Sequence, residues 1–391
     1  MQERLWNSNF VKVNVANFML WFAFYLLMPL MPLYLSETFH STKDVIGAVL
    51  SGYTIVALLS RPFSGYIVDS YPRRQVLLTV YFLFFIFFAG YIAAGSLLMF
   101  GVVRTLHGGP FGGLTVANST VAIDVLPSSR RSEGIGYFGL SNNMAMAVGP
   151  TVAVYLYETL HNFQVLFWLA FIIAGLGFIV DATVKLKPRE LKRNKSKLSL
   201  DRFFLVAGVW LFLDMITFGF SYGVLSTYLA IYGKEVMGMT SSTGTYFLIL
   251  AIGLIVSRLE GASSLRKGKI VYNAAIGMVI SAVGYALFVA VPNEWGYYGS
   301  AILIGMGNGH IWPAFQNMFI NLTTPDHRGT ANSTVLVAWD VGMGLGVVMG
   351  GLLSEFYGYA AAFWSGVVVN VLGVTHFYLH SRFHYKSHKM V

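Results

Sequence analysis

The sequence contains no cysteine, which removes disulfide frameworks, thiol nucleophiles, Cys-x-x-Cys redox chemistry and cysteine zinc sites from consideration. Charge is scarce as well. Asp, Glu, Lys and Arg make up 11% of the 391 residues, against about 25% in soluble globular chains, so an ordinary soluble domain is excluded. The formal net charge is nonetheless +9, which would suit nucleic acid if the basic residues lay along a polar face. They fall in short runs between apolar stretches, and no nucleic-acid partner is expected. No nucleophile, base and orienting group occur together, so the chain is not expected to be an enzyme, nor to hold a cofactor or a metal.

What the chain has is hydrocarbon: 56% apolar and 16% aromatic residues. At roughly 20 residues per spanning helix plus a short connection, about twelve spans fit. The apolar runs place them near 9–35, 44–68, 75–95, 97–123, 133–157, 163–184, 203–231, 240–258, 270–291, 297–321, 332–355 and 361–381. These runs lack period-two alternation and far exceed the ~9–11 residues of a barrel strand. Each is therefore read as a helix, because hydrocarbon offers no partner to an unpaired backbone group. The first stretch, Phe10 to Leu35, outruns the ~7–15-residue core of a secretory signal, so it is expected to stay in the mature protein.

The cations set the topology. Of 26 Lys and Arg residues, 23 fall on one face of this twelve-span arrangement, Lys43 and Lys234 on the other, and Arg104 within a span. The positive-inside rule then puts both termini in the cytoplasm, with the chain in the plasma (cytoplasmic) membrane. An odd number of spans would scramble that bias. The one polar stretch, Lys185 to Arg202, falls at mid-chain. It suggests an N-terminal six-helix bundle over 1–184, a basic cytoplasmic linker over 185–201 and a C-terminal six-helix bundle over 202–391. Pro127 and Arg130 recur as Pro325 and Arg328 at an offset near 198, and Arg61 falls one residue from register with Arg258, as in a duplicated bundle.

Several motifs interrupt the hydrocarbon. After span two comes Arg61-Pro62-x-x-Gly65-x-x-x-Asp69-x-x-x-Arg73-Arg74. Asp69 would sit at a helix C-terminus, where the macrodipole disfavours an anion by roughly 0.3–1 kcal/mol, so a cation or another helix's N-terminus is expected beside it. Span four carries Arg104-x-x-x-Gly108-Gly109-x-x-Gly112-Gly113; its glycines are spaced for close helix contact. Arg104 is a permanent cation inside a span, at a cost of at least ~2.5 kcal/mol unless it faces a polar cavity. A loop from Asp124 through Pro127, Arg130, Arg131 and Glu133 leads into span five, which contains Gly149-Pro150.

In this order the motifs resemble those of the major facilitator superfamily, and within it the twelve-helix branch of proton-driven drug and metabolite exporters. The resemblance covers essentially the whole chain. It implies a major facilitator fold of two pseudo-symmetric six-helix bundles. It also implies that Arg61, Gly65, Asp69, Arg73 and Arg74 form the gating motif of loop 2–3, and that Arg104 takes part in proton transfer. Gly136, Ala145, Gly149, Pro150 and Ala153 resemble the antiporter motif of span five, although Ala145 replaces its middle glycine and Ala153-Val154 its closing pair. Pro72 stands where the loop motif usually has glycine, and the second copy, Arg258 to Lys269, lacks an Asp69 equivalent.

Two acids have no interface to explain them. Asp214 is expected about twelve residues into span seven and Asp340 about nine into span eleven, each costing ~2.5–3.5 kcal/mol as an ion near the midplane. A carboxyl withdrawn from water takes up a proton readily and releases it when the site opens or a cation arrives. A structural acid hydrogen-bonded across the bundle is the alternative for each. His310 is a further proton-relay candidate; a neutral histidine satisfied by a neighbouring helix is the plainer alternative. Asn17, Tyr25, Asn118, Asn142, Asn143, Trp210, Gln316, Asn317 and Trp339 would line an aromatic, mildly polar cavity suited to amphipathic ligands. His376, His380, His384 and His388 recur every four residues, a pattern that could make a metal or pH-sensing ladder, but no acid follows Glu355 in the sequence.

The expectation is thus a monomeric secondary transporter working by alternating access, its partners being a small molecule, protons and the lipid bilayer. Proton-coupled efflux of a small amphipathic drug-like compound or metabolite is the first reading. Proton-coupled uptake of a sugar or organic anion is the second, and a non-transporting membrane sensor the third.

Overall fold

A computed structural model describes residues 4–186, 200–239 and 243–390. Most of the basic linker, residues 187–199, lies outside the described residues. The chain divides into two compact units, one of residues 1–129 with 138–203, the other of residues 130–137 with 204–391.

The first unit is built from α1 (Ser8–Leu27), α2 (Met31–Phe39), α3 (Lys43–Ser70), α4 (Arg73–Ala93), α5 (Leu97–Val125), α6 (Arg131–Leu160) and α7 (Phe163–Ala182). Span one, read from the sequence as a single run, is broken between α1 and α2. Pro29 lacks an N–H and its ring collides with the preceding turn, so helical bonding stops at Leu27 and resumes at Met31, with Pro32 in the permissive first turn of α2. Asn7, Ser96 and Asn162 begin α1, α5 and α7 by accepting bonds from Phe10, Met99 and Gln164 N–H groups. The glycines of α5 pack as their spacing predicts: Gly108 and Gly112 lie against the backbone of Tyr53 and Ala57 on α3, where a Cβ would find no room.

The second unit holds α8 (Val209–Glu235), α9 (Thr243–Arg266), α10 (Ile270–Ala290), α11 (Glu294–Asn321), α12 (Arg328–Tyr357), α13 (Tyr359–His376), a π turn at Phe377–Ser381 and α14 (Arg382–His388). The first eight residues of the α6 region, 130–137, belong here. Gly342 and Gly346 of α12 pack against the α8 carbonyls of Ile216 and Phe220, while Gly344, two residues from each, faces open space. A two-residue glycine spacing thus serves opposite faces of one helix. Gly358, with φ of 82°, is the single residue between α12 and α13, a backbone conformation that glycine adopts at no steric cost.

Every apolar run predicted to span the membrane carries a helix, and the architecture is all-α. Among the described residues nine helices are long and apolar enough to cross a membrane by length and composition alone. The spans outside that group are α5, α6 and α11, at 29, 30 and 28 residues, or about 42–45 Å at 1.5 Å per residue, against a hydrocarbon core of ~30 Å. Length is not what they lack; each carries four or five glycines together with asparagine, which lowers its hydropathy.

Candidate functional site

Asp214 lies in the second turn of α8, not twelve residues into a span. Residues 203–208 are turns, including a 3-10 turn at Val206–Gly208, so the helix begins later than the hydropathy suggests. Its side chain is fully buried, and its Oδ1 is 2.6 Å from Nδ1 of His376, the last residue of α13. Ser381 Oγ is 3.4 Å from the same nitrogen. One turn before Asp214, the indole of Trp210 packs 5.6 Å from the His376 ring and 6.3 Å from that of His380. The opposite valences, Asp214 Oδ2 and His376 Nε2, are buried without a hydrogen-bond partner. Directly after His376 the helix widens into its π turn, an irregularity frequent at functional sites.

The histidine series is therefore not one ladder. His376 and His380 turn toward Trp210 and Asp214, whereas His384 and His388 stack on each other at 4.1 Å and His384 Nε2 bonds the Ala207 carbonyl. Among the described residues no group of histidines and carboxylates is arranged to hold a metal. Although no acid follows Glu355 in the sequence, α8 supplies one across 162 residues of chain.

Asp340 is half-buried at the thirteenth residue of α12, near the middle of that 30-residue helix. Beside it, Trp339 packs edge-on to Trp312 at 5.6 Å and against Tyr222 at 5.4 Å. The nearby amides pair along the same unit: Gln316 donates to Asn332 at 3.0 Å, and Asn317 donates to the Pro313 carbonyl at 2.7 Å. His310 bonds Asn273 at 3.1 Å and forms the back of a polar pocket between α9 and α10.

In the first unit, Arg104 is buried on α5, its guanidinium 4.0 Å above the Tyr53 ring and 3.2 Å from Tyr91 Oη. Tyr91 Oη is in turn 2.7 Å from His107 Nδ1. Aromatic faces and a phenol hold this cation; among the described residues no carboxylate pairs with it. Asn17 of α1 donates to Ser141 at 2.7 Å and accepts from Asn118 at 3.1 Å, joining α1, α5 and α6. Asn118 Oδ1, Asn142 Oδ1 and Asn143 Nδ2 are buried without partners, as expected of groups that meet water or a ligand. Tyr25 stacks on Trp21 at 5.6 Å.

The gating residues form a clamp. Arg73 bonds Asp69 at 3.1 Å with one nitrogen and Asp124 of α5 with the other. Arg73 is thus the cation that offsets the helix C-terminus beside Asp69. Arg74 donates to the Ala182 carbonyl at 2.8 Å, Arg61 is buried, and Gly65 precedes Asp69 by one turn of α3. The antiporter-motif residues fall in different units. Gly149, beside Pro150, lets α6 approach the α1 backbone at Leu26, whereas Gly136 lies near Leu265 and Pro313. Residues around Gly136 are fixed there by Arg130, which grips Glu133 with two bonds of 2.9 Å, and by Asn317, which donates to the Ser132 carbonyl.

The structure adds one acid that the sequence reading passed over. Asp181, at the end of α7, is fully buried and neither carboxyl oxygen has a hydrogen-bond partner. Around it, Lys12 and Arg74 bond the carbonyls of Thr183 and Ala182 and leave the carboxyl itself alone. The signal was present, since Asp181 closes an otherwise uncharged run from Phe163.

The helical architecture with buried charge on long amphiphilic spans defines a multi-pass membrane transporter. The family model of the Major Facilitator Superfamily matches residues 13–289 and 274–389, and the chain belongs to that family, whose members move small molecules and are not enzymes. The staphylopine export protein of Staphylococcus aureus is 24% identical over 344 residues, covering 82% of this chain and 83% of that protein. The multidrug resistance protein MdtG of Proteus mirabilis is 23% identical over 382 residues, covering 92% of each. The crystal structure of the human organic anion transporter MFSD10 matches with a TM-score of 0.80 at 15% identity, over 95% of this chain and 99% of that one. A bacterial homologue of the iron transporter ferroportin matches at 0.79 and 15% identity, over 97% and 99%.

Proposed function

We propose that this transporter exports a small amphipathic compound or metabolite in exchange for protons, by alternating access, as a monomer in the cytoplasmic membrane with both termini in the cytoplasm. The observation that carries the proton coupling is the Asp214–His376 pair. With one proton between them the pair is a neutral-sum carboxylate and imidazolium; without it, a buried net negative charge remains. A dry environment favours the neutral-sum state, and hydration or an approaching cation favours release. A site whose charge follows its hydration is what coupling a proton to a conformational cycle requires. Asp340, at mid-helix next to Trp339, is the second proton-carrying candidate, with Arg104 and His310 as further ones. Each unit offers mildly polar and aromatic groups to an amphipathic substrate: Asn17, Tyr25 and the unpartnered atoms Asn118 Oδ1, Asn142 Oδ1 and Asn143 Nδ2 in the first, and Gln316, Asn317 and Trp339 in the second. Arg61, Gly65, Asp69, Arg73 and Arg74 act as the gate.

The relative named as an export protein and the one named for multidrug resistance support the outward direction. The test is flux in proteoliposomes with an imposed pH gradient: substrate movement opposite to proton entry is the expected result. Movement with the protons would replace export by uptake, and the absence of flux across a substrate panel would refute the reading.

A further inference from the structure

At the end of the α9–α10 hairpin lies a polar cavity of about 210 Å³ that shares only His310 with the residues assigned to transport above. Its floor is built. His310, buried on α11, bonds Asn273, and Asn273 donates to Ser264 and to the Lys269 carbonyl, so three elements are pinned together. Gly261 makes the room: a Cβ there would come within 2.9 Å of His310 Nδ1. The turn at Gly268, with φ of 74°, brings Lys267 and Lys269 to the rim, with Glu260 on the α9 side. Counting histidine as neutral, the rim and floor carry a net charge of +1.

The surroundings say where a ligand would come from. Below the cavity α9 exposes Leu248, Ile252, Val256 and Leu259 in a continuous stripe, and α10 exposes Tyr272, Val279 and Val283. In a spanning hairpin these apolar faces meet acyl chains. Two lysines at the end of such an apolar face, where a basic pocket between spans meets the headgroup layer, are the chemistry of an anionic lipid site.

We infer that this cavity binds the headgroup of an anionic glycerophospholipid. The phosphodiester would sit between Lys267 and Lys269, headgroup hydroxyls would bond Glu260 and Ser264, and the acyl chains would lie along the exposed apolar residues of α9 and α10. A single phosphodiester charge matches the +1 of the pocket, and the acidic rim residue favours a hydroxylated headgroup over a more highly charged one.

The test uses the purified full-length chain in detergent, with melting temperature read during titration by four probes: short-chain phosphatidylglycerol, phosphatidylcholine of equal chain length, glycerol 3-phosphate and inorganic phosphate. Stabilisation by phosphatidylglycerol alone is expected. Lys267→Ala with Lys269→Ala should weaken it roughly tenfold or more, at about 1 kcal/mol per cation near a headgroup. The pair Lys386→Ala with Lys389→Ala, exposed elsewhere, should leave it unchanged. Gly261→Leu should abolish it with both lysines intact; if that variant does not fold, the exposed lysine pair still decides. Equal stabilisation by phosphatidylcholine, equal stabilisation by either soluble phosphate, or unchanged affinity in the Lys267/Lys269 variant would overturn the inference. Binding is read without transport, so the result is independent of the direction or coupling of flux.

Discussion

His376 Nδ1 meets Asp214 Oδ1 at 2.6 Å, joining the last residue of α13 to the second turn of α8. Each residue is the other's only side-chain counter-charge within salt-bridge reach among the described residues. Asp214→Asn and His376→Gln are therefore expected to reduce gradient-driven flux in proteoliposomes to its level without a pH gradient, while substrate exchange at equal pH persists. Because either change takes away the other group's counter-charge, the double variant should be less destabilised than the sum of the singles by about 1–3 kcal/mol. Asp340→Asn in the same assay reports whether the second acid shares the task; coupling unchanged in all three variants would remove the acids from the mechanism.

Arg73 holds two carboxylates on two helices, and its own side chain is 5% exposed. Arg73→Ala removes the cation that Asp69 and Asp124 share, which should lower stability by up to about 3 kcal/mol. Arg73→Lys keeps the charge but loses the fork that reaches both acids, so an intermediate loss is expected. Thermal unfolding followed by tryptophan fluorescence would rank the three proteins.

The glycines of α12 offer a paired comparison. Gly344→Ala adds a methyl to open space and should be neutral or stabilising by up to about 1 kcal/mol, the helix-propensity difference. Gly342→Ala drives a methyl into the α8 carbonyl of Ile216 and should lower the melting temperature clearly. Equal effects from the two substitutions would contradict the assigned packing faces.

Asp181 is a buried acid without a hydrogen bond. Replacing it by leucine, which keeps the branched outline with somewhat larger methyl groups, removes an unsatisfied polar group, worth about 1–3 kcal/mol, so Asp181→Leu is expected to raise the melting temperature at neutral pH. A fall would mean that the carboxyl has a partner in solution.

The spans were legible because hydrocarbon thickness and backbone hydrogen bonding leave the chain few options over a run of apolar residues. The break at Pro29 did not show in the span reading, because hydropathy averages over a single proline and merges α1 with α2. The depth of Asp214 was misjudged for a similar reason: residues 203–208 are apolar without being helical. Its partner was beyond reach, since no local pattern connects position 214 to position 376. Asp124 as the second acid on Arg73 was hidden the same way, by an ion pair joining α4 to α5. Asp181 stands near a span end, where side chains usually meet water, and only packing shows that this one does not.

Gly358 leaves no slack between Tyr357 and Tyr359. The helix that bears Asp340 and the helix that ends in His376 are joined by one residue, a corner and not a tether. Any tilt of the former is transmitted to the latter within a single peptide unit, so the two proton-carrying candidates are mechanically linked at the far end from both.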